Sequence, residues 1–165
     1  MLSDAALLVA TAVMVPLTLA IAAIDARTLK IPNWSVLAVF VAFLLTGSWG
    51  LPFDVFLWRI GYAVATLVVG FLLYQVVAGQ VGAGDLKLIA ALAPFLSGAN
   101  LIAFLVFYVI LSAVGLGVYF VAKRVVNPGT TGWKALSQSV YYPAGVLLAP
   151  AMAMTLVAEC LFRFA

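Results

Sequence analysis

The chain of 165 residues carries five acidic residues, and the placement of two of them is its most informative feature. Asp4 and Asp54 flank apolar runs, and Glu159 lies near the end of the last one. Asp25 instead closes the first run directly after Ala22-Ala23-Ile24, and Asp85 opens a later one behind Gly82-Ala83-Gly84. If successive runs alternate across a layer, these two carboxylates reach the same side at similar depth. Two carboxylates that meet can hydrolyse an amide. One takes a proton from water, while the other, still protonated, hydrogen-bonds the scissile carbonyl and later protonates the leaving amine. The chain has no histidine, and Cys160 is its single cysteine, which argues against cysteine–histidine catalysis, a zinc site and an intrachain disulfide. Neither metal nor cofactor is expected. Gly82 and Gly84 read as a site-shaping loop, because residues without Cβ let backbone or substrate approach closely beside the acid.

The elements that must position these acids are membrane helices. Of the residues, 67% are hydrophobic and 8% charged, against about 25% charged in soluble domains. Polar punctuation gives six apolar runs, Ala5–Ile24, Trp34–Thr46, Val55–Val77, Leu86–Leu96, Leu101–Ala122 and Pro143–Phe162. The expected fold is therefore all-α and integral to the membrane: six transmembrane helices forming one polytopic domain over residues 1–165, with the lipid bilayer as partner and no room for a soluble domain. Leu86 to Ala122 exceeds one span, and Ser97-Gly98-Ala99-Asn100 after Pro94 breaks it into a hairpin. The first limb reaches only about 16 to 21 Å against a hydrocarbon core of about 30 Å, so Asp85 is expected below the membrane surface. The first run is of spanning length and is preceded by Asp4 without a basic cluster, so it reads as a span and not as a cleaved signal.

Orientation follows from the basic residues. Arg27, Lys30, Lys87, Lys123, Arg124 and Lys134 fall on one side, leaving Arg163 and Arg59 on the other, with Arg59 read as snorkelling from the start of the third span. The first side is assigned to the cytoplasm and both termini to the outside. The net charge of +3 bears on this orientation and gives no footprint for nucleic acid.

Gly82-Ala83-Gly84-Asp85-Leu86-Lys87 has the form GxGDxK, and Asp25 to Asn33 has the form DxRxxxIPN. Together they resemble the type IV prepilin peptidases; the second motif separates the chain from presenilin-like and signal-peptide-peptidase-like proteases, which share GxGD. The resemblance implies an aspartic endopeptidase of the inner (plasma) membrane. Its catalytic residues would be Asp25 and Asp85, and it would remove the basic leader of a prepilin-like protein at the cytoplasmic face. Many relatives carry a cysteine-rich cytoplasmic insertion and methylate the new N-terminus. Residues 27–33 leave no space for that insertion, so the chain resembles the compact form found with Flp/Tad-type pili or preflagellins, and methyl transfer is not expected. A weaker echo at Tyr142-Pro143-Ala144-Gly145 departs from the family form and is given no site role.

Plainer readings stand beside these. Asp85 could serve as a helix N-cap, and Asp25 as a solvated end-of-span residue beside Arg27. Arg27 and Lys87 report topology first, and substrate contact or tuning of an aspartate second. Thr18, Thr46 and Gln75 suit hydrogen bonds between helices, Gly61 and Gly70 close packing, and Trp133, Tyr141 and Tyr142 an interfacial belt. Because Asp85 begins a helix and Asp25 ends one, the helix dipoles suggest Asp85 as base and Asp25 as acid. The competing functional classes are a small transporter or proton relay, and an assembly anchor without chemistry.

Overall fold

A computed structural model of the chain describes residues 2–76, 82–125, 134 and 144–165. Six α-helices account for nearly all of these residues: α1 (Asp4–Thr28), α2 (Asn33–Gly50), α3 (Phe53–Val76), α4 (Ala83–Leu92), α5 (Gly98–Val125) and α6 (Gly145–Phe164). All but α4 are long and apolar enough to cross a membrane. With ten residues, α4 rises only about 15 Å and is not a span by itself. A single 3-10 turn, Ala93–Phe95, follows α4 and contains Pro94. The chain then reverses into α5, where Asn100 Oδ1 accepts the Ser97 N–H at 2.6 Å. This is the hairpin with a short first limb expected from Pro94 and Ser97 to Asn100.

Helix ends follow local chemistry. Ser3 caps α1, its Oγ accepting the Ala6 N–H at 3.4 Å. At the other end Leu29 adopts a left-handed conformation (φ 53°) and returns its N–H to the Asp25 carbonyl. Pro32 then fixes the entry into α2. The helix thus runs one turn past Ile24, and Asp25 lies inside the last turn instead of following it.

The centre of the bundle is α1 against α6, with α2 on another flank of α1 and α5 on α6. α4 packs on α2 and touches α6, and α3 rests mainly on α4 and the 3-10 turn. Leu7, Met14, Ile21, Phe43, Leu88 and Met152 are fully buried in the interior. Close helix approach shows at Gly50, where a Cβ would fall 2.3 Å from that of Ala6. By contrast α3 and α5 expose apolar side chains around most of their circumference, including Phe71 and Val109, as lipid-facing helices do.

Several single-residue expectations change. Arg59 does not snorkel: it is 8% exposed, and its guanidinium donates to the carbonyls of Pro94, at 3.0 Å, and Leu96. Those are carbonyls freed where the short limb ends, so an inward arginine satisfies acceptors that lipid could not. Thr18 and Thr46 bond carbonyls of their own helices, those of Met14 and Ala42, at 2.7 Å each, because a threonine hydroxyl reaches the preceding turn more readily than a neighbouring helix. Gly70 packs against Leu86 of α4, but at Gly61 a Cβ would meet open space. Trp133, Tyr141 and Tyr142 lie outside the described residues.

Candidate active site

Four helix ends converge at one end of the bundle: the last turn of α1 and the first turns of α2, α4 and α6. Asp25 projects from α1 and is 4% exposed. Asp85 is the third residue of α4 and half-buried. It does not cap its helix, since Gly82 occupies that position without a side-chain cap bond. Its carboxyl instead folds back over Gly82, with Oδ2 only 2.6 Å from where a Cβ on that glycine would be. The second motif glycine, Gly84, faces Ile31, whose Cβ lies 3.2 Å from the corresponding point. Both glycines are thus closely approached, one by the acid and the other by the α1–α2 connection.

The two acids act on each other. The carboxyl of Asp85, outside the five spanning helices, is pushed up to about 6, first by burial and second by the charge of Asp25. A carboxyl held in that range can keep its proton beside an ionised neighbour, the state that paired-carboxylate hydrolysis needs.

Asp25 has a partner that the sequence reading passed over. The backbone amides of Gly145 and Val146, at the start of α6, lie against its carboxyl. A Cβ on Gly145 would fall 2.8 Å from Asp25 Oδ2 and 2.9 Å from Ile31 Cδ1. Oδ2 is fully buried and has no hydrogen-bond partner among the described residues. Asp25 therefore stands at the C-terminal end of its own helix and the N-terminal end of another. That removes the dipole asymmetry on which the assignment of base to Asp85 and acid to Asp25 rested. Gly145 belongs to the segment Tyr142-Pro143-Ala144-Gly145 that was given no site role. Its signal was a glycine opening an apolar run shortly after a proline. Ile31 is the other missed residue; its side chain contacts both Gly84 and Gly145 and so spaces the two acidic arms.

The basic residues take outer positions. Lys87 is exposed, and its ammonium donates to Asn33 Oδ1 at 3.2 Å, tying α4 to the start of α2. Arg27 is exposed in the last turn of α1. Among the described residues no group of three or more acidic, histidine or cysteine side chains could hold a metal ion.

A relay across the layer would need polar groups linking this end to the opposite one. The buried hydroxyls between them, Thr18, Thr46 and Thr155, each bond a carbonyl of their own helix, so no side-chain hydrogen-bond chain is formed by them. The transporter reading gains nothing from the fold.

Among known protein families, the model of the type IV leader peptidase family matches residues 12–121. No curated protein and no solved structure matches the chain.

Proposed function

The chain belongs to the type IV leader peptidase family, and from that premise we propose that it is an aspartic endopeptidase in which Asp25 and Asp85 are the catalytic pair. The observation that carries this reading is the electrostatic pairing of the buried Asp25 with the half-buried Asp85, delivered by different helices to one end of a multi-pass membrane bundle. The substrate is a prepilin-like protein with a basic leader, cleaved at the cytoplasmic face of the plasma membrane, and both chain termini lie outside.

In the reaction one carboxylate of the pair removes a proton from water as the oxygen adds to the scissile carbonyl. The other carboxyl donates its hydrogen bond to the developing oxyanion. Collapse of the tetrahedral intermediate breaks the C–N bond, and the amine leaves with a proton from the dyad. Gly145 and Val146 orient Asp25, Gly82 shapes the seat of Asp85, and Ile31 holds the arms apart. The test is cleavage of a leader-bearing pilin-like substrate by the membrane-embedded protein and its single Asp→Asn variants; turnover by either variant near that of the unmodified protein would exclude the dyad.

A further inference from the structure

The end of the bundle remote from the aspartates holds a second buried polar cluster that the proposed chemistry does not use. Arg59 of α3 donates to the Pro94 and Leu96 carbonyls, where the Asp85-bearing limb ends. Asn100, 7% exposed, donates from Nδ2 to the Phe95 carbonyl at 3.3 Å and to Glu159 Oε2 at 2.7 Å. Glu159 of α6 in turn pairs with Arg163 at 2.7 Å, and its charge acts on Arg59. Arg59, Ser97, Asn100 and Glu159 line a cavity of about 10 Å³ between them, roughly the room of one water.

Through Asn100 and Glu159 these contacts join two parts of the molecule that otherwise meet chiefly where α4 packs on α2 and touches α6. α3, α4 and the 3-10 turn pack on one another and carry Asp85; α2 and α6 each pack on α1, and that group carries Asp25. At the aspartate end the parts meet where Gly84 of α4 faces Ile31 and where the exposed Lys87 donates to Asn33. At the remote end Asn100 Nδ2 bridges the Phe95 carbonyl and Glu159, beside the buried charge of Arg59, and removing one partner there leaves costly unpaired groups. An arginine suits that place because one guanidinium nitrogen donates to both carbonyls while the rest of the group still presents charge to Glu159.

We propose that Arg59, Asn100 and Glu159 form a latch that fixes how the Asp85-bearing half sits on the Asp25-bearing half. They are positioning residues, acting on the dyad from the opposite end of the bundle, and the inference rests on the dyad reading. A shift of about 1 Å between reacting groups is enough to lose about a hundredfold in rate.

The test reads geometry and rate separately. With Cys160→Ala as background, an Asp25→Cys, Asp85→Cys pair is oxidised in membranes, and disulfide yield is followed with and without Arg59→Gln. In the otherwise unmodified protein, Arg59→Gln is assayed for cleavage. The latch requires that Arg59→Gln lower the disulfide yield severalfold and kcat by about 10- to 100-fold with KM little changed. Arg59→Lys should restore part of both. If Arg59→Gln fails to fold, Glu159→Gln, which keeps the carbonyl bonds of Arg59, carries the same expectation. Disulfide yield and kcat unchanged in the folded variant overturn the latch alone. Turnover retained by Asp25→Asn or Asp85→Asn overturns the dyad, and the latch with it.

Discussion

Asp25 and Gly145 are coupled by contact, and that contact has a measurable consequence. The space a Cβ would need at Gly145 is taken by Asp25 Oδ2 and Ile31 Cδ1. Gly145→Ala should therefore displace the carboxyl and lower kcat by about 10- to 100-fold, with the protein still inserted and helical; a kinetic comparison in detergent or nanodiscs checks it. Asp85 gives a second expectation, through pH. Its carboxyl binds a proton more tightly in the folded protein, at about 6, than at the ordinary value of 3.8. Its contribution to stability is then fully present below 3.8 and is lost as pH rises through about 6. Thermal unfolding of the unmodified protein, measured against Asp85→Asn, should show the difference between them shifting against the unmodified protein from pH 4 to pH 6, and a constant difference would mean that Asp85 is not perturbed. The pair titrates as one unit, so the limbs of an activity profile belong to both acids.

At the scale of elements, the apolar runs made the helices readable, because a span of lipid demands a length and a hydropathy that few other structures share. The break after Pro94 and the shortness of the fourth helix were readable for the same reason. Helix ends were less so. α1 continues a turn beyond Ile24 to its left-handed cap at Leu29, and the carboxyl of Asp25 in that turn is received by the amides of α6, some 120 residues further along the chain, a partner that nothing local in Ala22-Ala23-Ile24-Asp25 announces. Arg59 was misread in the same way: a cation near a helix start is ordinarily interfacial, and only the arrival of the Pro94 and Leu96 carbonyls turns it inward. The candidate acids and their glycines were legible because chemistry restricts residue type, whereas Gly145 and Ile31 act through shape and carry no such mark. Gly61 offers an element-scale check. With open space at its Cβ position, Gly61→Ala should raise stability by about 0.5–1 kcal/mol through helix propensity, whereas a close-packed glycine would lose stability on the same change.

For the whole molecule, alternation of the helices puts residues 28, 33, 83 and 145 at one end and residues 4, 50, 98 and 164 at the other, consistent with the ion pair between Asp4 and Arg163 at 3.1 Å. The proposed orientation places the first end in the cytoplasm. On a Cys160→Ala background, a cysteine at the exposed Thr28 should react with an impermeant reagent only from the cytoplasm, and one at the exposed Ser48 only from outside; the reverse pattern would invert the protein in the membrane. The central claim concerns chemistry, and one experiment addresses it most directly: turnover of a leader-bearing pilin-like substrate by the reconstituted protein, its Asp25→Asn and Asp85→Asn variants and their double variant. The account expects each single variant to lose at least about 10²- to 10⁴-fold in kcat and the double variant to lose little more, since neither acid works without the other. Either single variant retaining turnover near that of the unmodified protein, while correctly inserted, would contradict it.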